Sequence, residues 1–342
     1  MRYLIVKSSA IGDLIQSLPV LEYLKKKDSK ATIDWIVEEP FAELLRAHPL
    51  VTQVIPVETK KWRKGRGWRG LFAFYKILRQ NRYDLLIDLQ GNTKSALFSL
   101  PVRAKERISF RGKSLSEVGN YLLRAKRYEV ESGIDVRERY LQLVRSHFKD
   151  QEPFIWQNLL LQSAPPVMPE TSHIKLMVSP GSNWSNKRLL EEQLFSLLSK
   201  LQEKYNPTFY FTAGSLQEEK LLDQLKLRYP NSCAIIRPTL PAWQRLMAEM
   251  NGLIAVDSAA LHLCATTKTP TFSLFGPSSS RVYGPKGRRD ISLQGSCPYG
   301  QKFEMRCPKL RSCPTGACLH DLSMDHVFKA LKGWMDALCI RN

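Results

Sequence analysis

Apolar residues in this chain fall into short strand-length runs, separated by segments whose apolar positions recur at helical spacing. In the first half the runs are residues 3–6, 31–37, 54–57, 85–89 and 108–110, with helical spacing at 19–27, 40–47, 71–79 and 114–123. Strand-helix alternation of this kind predicts a parallel, doubly wound α/β sheet. Pro19 either kinks the first helix or opens its regular part, because proline is tolerated at the first helical position. Residues 137–148 predict a helix that closes this series.

A polar, proline-containing passage follows, and a second series then begins. Its strand candidates are 174–178, 208–212, 234–236, 253–256 and 271–275, and its helix candidates are 191–203, 216–227, 242–249 and 259–265. The organisation expected is one Rossmann-like domain over 1–150, a linker over 151–172, a second domain over 173–325 and a C-terminal helix over 326–342. No period of about 20 to 50 residues repeats, which excludes a solenoid.

Composition narrows the class. At 342 residues the chain is too long for one ordinary core, and 43% hydrophobic with 24% charged residues describes a globular protein. No apolar run approaches the ~18 residues of a membrane span. Lys7 and Asp13 interrupt the first apolar stretch too early for a signal peptide, so the cytoplasm is expected. The net charge of +19 attracts polyanions: nucleic acid, anionic lipid headgroups or phosphorylated substrates. Much of it lies in 60–69, which also holds Trp62 and Trp68, and in 103–127. Of seven cysteines, Cys297, Cys307, Cys313 and Cys318 crowd into one loop with nine, five and four residues between them. Those intervals form no C-x-x-C pair, so they leave a metal site there open rather than assign one.

The candidate chemistry sits in the turns. Residues 2–19, RYLIVKSSAIGDLIQSLP, carry a strand into a small-residue loop that delivers Asp13 to the start of a helical segment. Ligands of open α/β sheets bind where strands end and helices begin. Asp is also a favoured N-cap, and the stretch alone leaves both roles open. Its single glycine excludes the G-x-G-x-x-G fingerprint of a nicotinamide dehydrogenase. In 255–265, AVDSAALHLCA, a strand ends at Asp257 and small residues let an anion approach a helix start. In 179–188, SPGSNWSNKR, free backbone amides and Lys187 suit a phosphate. A third strand-to-helix turn, 212–218, offers Glu218 to ribose hydroxyls, and Gln90 and Lys94 lie after the strand at 85–89.

Seven stretches in order, LIVKSSAIGDLIQSLP, DWIVEEPFAELL, VIPVETKKWRKG, YDLLIDLQGNTKSAL, SPGSNWSNK, AVDSAALHLCA and FSLFGPSS, resemble the bacterial lipopolysaccharide heptosyltransferases of glycosyltransferase family nine. The first half is most similar to the heptosyltransferase I branch. The resemblance implies the GT-B fold, an α/β architecture of two doubly wound Rossmann-like domains facing across a cleft, the first binding the acceptor and the second the nucleotide sugar. It implies an inverting transfer of L-glycero-D-manno-heptose from ADP-heptose to Kdo of Kdo-lipid A. The setting implied is lipopolysaccharide inner-core synthesis, by an enzyme peripheral to the cytoplasmic face of the inner membrane. A monomer is expected, and a nucleic-acid partner is not.

Residue by residue, Asp13 matches the general base and Lys187 the lysine that holds the leaving diphosphate. Ser182 and Asn183 match its polar neighbours, and Glu218 the ribose-side glutamate. Asp257 matches the residue expected to hold heptose hydroxyls, and Ser258, Ala259 and His262 the phosphate helix. Lys60, Lys61, Arg63 and Lys64 match a basic segment for the acidic Kdo and lipid A phosphates, with Gln90 and Lys94 on the acceptor side. Where heptosyltransferase I carries an acceptor-binding arginine this chain has Ser116, with Arg111 or Lys113 as substitutes. The Cys-Pro-x-Gly segment is similar to that of other family members, some of which contain metal. Catalysis should require no cofactor, and a structural metal at the cysteine loop is the open expectation. Two alternatives remain: a family-nine transferase acting on a core heptose or a protein, and a basic nucleic-acid-binding protein.

Overall fold

The computed structural model describes every residue except 64–67, 158, 165, 341 and 342, and leaves the side chains of Lys60, Arg63, Trp68 and Gln217 outside the description. Contacts divide the chain into two units, Met1–Gln157 and Asn158–Asn342. The first holds a six-stranded sheet of β1 (Arg2–Val6), β2 (Thr32–Glu38), β3 (Gln53–Val57), β4 (Arg82–Asp88), β5 (Arg103–Phe110) and β6 (Lys126–Tyr128), in the order β3-β2-β1-β4-β5-β6. The second holds β7 (Lys175–Ser179), β8 (Thr208–Ala213), β9 (Cys233–Ile236), β10 (Gly252–Val256), β11 (Thr271–Phe275) and β12 (Ile291–Gln294), in the order β12-β11-β10-β7-β8-β9. Every pairing is parallel. Counted from its own first strand, each sheet has the order 3-2-1-4-5-6. Parallel strands need crossovers, and the helices that make them bury both sheet faces. The central strands accordingly carry the core: Leu4, Ile5 and Val6 in the first unit, and Leu253, Phe272 and Leu274 in the second, are almost wholly buried.

Pro19 opens the helix Pro19–Lys27 as its first residue, and a separate short helix, Ile11–Gln16, precedes it. Between them the Ser17 hydroxyl donates to the Leu14 carbonyl at 2.7 Å. The helix predicted over 114–123 is not formed. Two 3₁₀ turns, Gly112–Ser114 and Val118–Leu122, stand there instead. Gly112 has φ of +58°, which breaks the chain direction, and Asn120 turns inward to the β4 end, so the Leu115, Val118, Leu122 spacing does not define a buried stripe. The helix Thr93–Ser99 was not predicted, although Asn92 caps it by accepting from the Ser95 amide at 2.9 Å. The short strands β6 and β12 also escaped the sequence reading.

The last helix, Met324–Cys339, buries Val327, Leu331, Trp334, Met335 and Leu338 against the second sheet. Gly252 opens β10 beneath it, where a Cβ would fall 2.5 Å from Trp334 Cη2. The indole has little room to yield, since its Nε1 donates to the Arg289 carbonyl at 2.9 Å. Gly252→Ala should therefore destabilise the protein by about 1–3 kcal/mol through overpacking. Urea denaturation checks this, and an unchanged midpoint would show that the helix yields without cost.

Candidate functional site

In an open sheet of order 3-2-1-4-5-6, connections leave the first and fourth strands in opposite directions, and the crevice between their carboxyl ends receives ligands. That point lies between β1 and β4 in the first unit and between β7 and β10 in the second. The chain leaving β1 carries Asp13, and the chain leaving β4 carries Gln90 and Lys94. Ser182, Asn183 and Lys187 follow β7, and Asp257, Ser258, Ala259 and His262 follow β10. Topology has thus collected the candidate residues at one place in each sheet.

In the first unit Asp13 lies in the first turn of Ile11–Gln16 but does not cap it. Ala10 is the N-cap, and no side chain caps the helix. Asp13 is partly exposed. The loop before it is pinned by Gln90, whose Oε1 accepts from the Ser8 and Ser9 amides at 3.0 and 3.2 Å. Gln90 is thereby part of the scaffold of the Asp13 loop. Lys7, at the end of β1, is buried beside the Tyr140 ring, its Nζ 5.1 Å from the centroid. Burial opposes its charge, yet Tyr140, Asp13 and Asp88 hold its ammonium above the ordinary lysine range. In the sequence Lys7 stands only as a break in an apolar stretch. A lysine at the end of a buried strand was the available signal for a charge facing the site.

Asp88, at the β4 terminus, is fully buried and organises the adjoining turn. It accepts from the Gln90 and Gly91 amides at 3.0 Å each, from Ser95 Oγ at 3.1 Å and from Asn120 Nδ2 at 2.6 Å. Burial pushes its carboxyl above the ordinary range despite these donors. Lys94 pairs with Glu38 at 2.8 Å, and the same Glu38 oxygen accepts from Thr59 Oγ1 at 2.5 Å. Glu38 thus ties Lys94 to the start of the basic helix Thr59–Arg63. Within that segment Lys61 is exposed and pairs with Glu58 at 2.5 Å. The side chains of Lys60 and Arg63, and the whole of Lys64, lie outside the described residues. Arg111 and Lys113 are exposed around the Gly112 turn.

In the second unit Lys187 Nζ lies 2.5 Å from Asp257 Oδ2, and His262 Nε2 lies 3.1 Å from Oδ1. All three side chains are nearly buried, at 11%, 7% and 8% exposure. Burial alone would push the Asp257 carboxyl up. The His262 hydrogen bond and the Lys187 charge outweigh it and hold the group well below the usual carboxylate range. The Ser258 hydroxyl is buried with no protein partner. The helix after it, Ala259–Cys264, is short and has no side-chain cap, so its dipole adds less than the Lys187 charge. Ser182 is buried and Asn183 exposed. Glu218, in the first turn of Leu216–Arg228, accepts from the Gly214 amide at 2.7 Å and lies against Gly181.

The cysteine loop braces the Lys187 turn from behind. Asn186 Nδ2 donates to the Leu310 carbonyl at 2.7 Å, and Gln193 Nε2 to the His320 carbonyl at 2.7 Å. His320 Nε2 in turn lies 3.0 Å from the Arg188 carbonyl. Cys297, Cys307, Cys313 and Cys318 line a cavity of about 380 Å³ together with Asn186. Burial, then the thiols of Cys297, Cys313 and Cys307, pushes the Cys318 thiol up to about 11. Among the described residues, no group of three or more His, Cys, Asp or Glu side chains is arranged to hold a metal ion.

Comparison with known proteins gives the family and the fold. The family described as glycosyltransferase family 9 (heptosyltransferase) matches residues 71–311. Lipopolysaccharide heptosyltransferase 1 of Pseudomonas aeruginosa is 30% identical over 322 residues, covering 90% of this chain and 87% of that protein. The structure of E. coli heptosyltransferase WaaC with ADP superposes with a TM-score of 0.80 at 22% identity, covering 98% of this chain and all (100%) of that one. WaaC with ADP-2-deoxy-2-fluoro heptose gives 0.78 at 21% identity, covering 97% and 99%. The fold is of the GT-B type.

The ion pair makes a prediction independent of any ligand. Lys187→Met should cost about 3 kcal/mol at neutral pH, because it leaves a buried carboxylate with one partner removed. A carboxyl whose folded-state pKa is depressed contributes stability above its ordinary value of 3.8 and loses it as pH falls through the folded value. The stability gap between wild type and variant should therefore be full at neutral pH and narrow in strong acid. Denaturant titrations under both conditions check it; a pH-independent gap would show that lost packing, not charge, sets the cost.

Proposed function

The chain belongs to glycosyltransferase family 9, the heptosyltransferases, and from that premise we propose that it moves L-glycero-D-manno-heptose from ADP-heptose to Kdo of Kdo-lipid A with inversion. The observation that carries the donor half is the buried Lys187–Asp257–His262 network at the switch point of the second sheet. Leaving a sugar requires a diphosphate to accept a bonding electron pair, and a fixed ammonium at the phosphates stabilises that charge as it develops. Lys187 supplies the charge, so the reaction as drawn needs no bound cofactor or metal. WaaC, the structural relative, has been seen with ADP and with a fluorinated ADP-heptose.

In the reaction the acceptor hydroxyl oxygen attacks the anomeric carbon opposite the phosphate. The carbon–oxygen bond to ADP breaks as the new glycosidic bond forms, which inverts the configuration. Asp13 takes the hydroxyl proton. Ser182, Asn183 and the unpartnered Ser258 hydroxyl border the diphosphate beside Ala259, and Glu218 meets the ribose. Asp257 keeps lone-pair capacity for heptose hydroxyls after its two partners are counted, since an ionised carboxylate offers about four acceptor positions. On the acceptor side, Lys60, Lys61, Arg63, Lys64 and Lys94 attract the Kdo carboxylate and lipid A phosphates, with Arg111 and Lys113 nearby in sequence to the β5 end. No described helix is long and apolar enough to cross a membrane. We place the reaction at the cytoplasmic surface of the inner membrane, carried out by a monomer.

Mass spectrometry of products from ADP-heptose and a panel of acceptors tests the assignment. Kdo-lipid A should gain one heptose, and exclusive transfer to a core heptose or a protein would replace the acceptor. In the same assay Asp13→Asn should lower turnover by roughly 10²- to 10⁴-fold while calorimetric affinity for the donor is retained. Near-normal turnover in that variant would remove Asp13 from the base role.

Glycine 181 gives a second handle. A Cβ there would fall 2.0 Å from Glu218 Oε1 and 2.5 Å from its Cδ, so Gly181→Ala must displace that carboxylate. ADP affinity should fall by about tenfold with little change in thermal midpoint, on the scale of a lost charge-assisted hydrogen bond. Unaltered affinity would exclude Glu218 from the nucleotide.

A further inference from the structure

Three elements of the first unit share one apolar layer. The helix Trp68–Gln80 contributes Phe74 and Leu78, the helix Thr93–Ser99 contributes Ala96 and Phe98, and Leu123 follows the turn Val118–Leu122. The Phe74 and Phe98 ring centroids are 5.6 Å apart, and the turn packs directly on Thr93–Ser99. Elements with a buried inner stripe ordinarily present a polar outer face. Here Ile77, Leu97, Leu100, Val118, Tyr121 and Leu122 each lie more than one-third exposed, Val118 at 80%. Leu97 and Leu100 share a helical face by their i, i+3 spacing.

The charge of these elements and the residues that follow two of them is one-sided. Residues 68–80, 93–103 and 118–127 contain eight Lys or Arg and no Asp or Glu. Lys76, Arg79, Arg103 and Arg124 of these segments are exposed. Apolar residues of this size enter the boundary between headgroups and acyl chains, and each nearby cation gains from an anionic surface. A second copy of this chain would bring two basic faces together, which like-charge repulsion opposes.

We propose that this face docks the enzyme on an anionic lipid bilayer, with the six apolar side chains entering the headgroup layer and the basic residues meeting lipid phosphates. The inference deepens the lipid-anchored acceptor reading and rests on it, but its test requires no sugar transfer. Wild-type protein should co-sediment with vesicles of phosphatidylethanolamine and phosphatidylglycerol, less so as salt rises, and far less with phosphatidylcholine alone. Leu97→Ser/Leu100→Ser and Val118→Ser/Leu122→Ser should each weaken this partition by about tenfold or more, with thermal midpoints retained. Leu227→Ser, at a still more exposed leucine of the second unit (87%), should leave it unchanged. Undiminished vesicle binding by both patch variants would overturn the proposal. So would a concentration-dependent dimer, seen by ultracentrifugation, that these substitutions disperse. Patch-dependent vesicle binding by a protein that fails to heptosylate Kdo-lipid A would uphold the docking face and remove the acceptor reading instead.

Discussion

A carboxylate withdrawn from water stays ionised only when fixed partners replace its hydration. Asp257 is such a group, and the geometry of the second unit follows from supplying Lys187 and His262 to it. The histidine comes from the same β10-to-helix turn. The lysine comes from 70 residues away and arrives because β10 pairs with β7, Leu253 opposite Met177 and Ala255 opposite Ser179. The Lys187 turn is supported from its far side, where Asn186 binds the Leu310 carbonyl of the cysteine loop and Gln193 binds the His320 carbonyl just after it. One buried charge thus links a strand pairing, a loop and a distant brace into a fixed cationic position.

The first unit meets a similar demand with different residues. Asp88 is buried at the end of β4 and satisfied by two backbone amides, the Ser95 and Ser109 hydroxyls and the Asn120 amide. Lys7 is buried at the end of β1 with Tyr140, Asp13 and Asp88 as its electrostatic surroundings. Gln90 bridges the two strand ends by holding the Ser8 and Ser9 amides. Asp13 itself is left partly exposed and does not cap its helix. The rigid groups are the buried ones, and the group assigned to proton transfer is held by a loop they fix.

Much of this is legible in the sequence. Strand runs and helical spacing locate ten of the twelve strands among the described residues and the Rossmann-like alternation, because strands buried on both faces read as continuous apolar runs. The misses share a cause. β6 and β12 span three and four residues, too few for a pattern, and Thr93–Ser99 is shorter than an isolated helix needs. Residues 114–123 have helical spacing, yet Gly112 and the inward turn of Asn120 put Val118 and Leu122 into solvent. Periodicity reports which residues are apolar, and only packing reports whether anything covers them.

The sequence by itself determined the two-sheet class, the charge surplus and the loops that carry Asp13, Lys187 and Asp257. These depend on local periodicity and residue type, and the family motifs depend on order along the chain. Strand order was a tertiary decision: nothing in a run of apolar residues says that β1 lies between β2 and β4, or that β7 lies between β8 and β10. Hence the pairing of Lys187 with Asp257, the burial of Lys7, the scaffold role of Gln90 and the brace behind Asn186 were absent from the linear reading. Hydrogen bonds and ion pairs act over a few ångströms, and parallel crossover connections make those short distances between residues far apart in the chain.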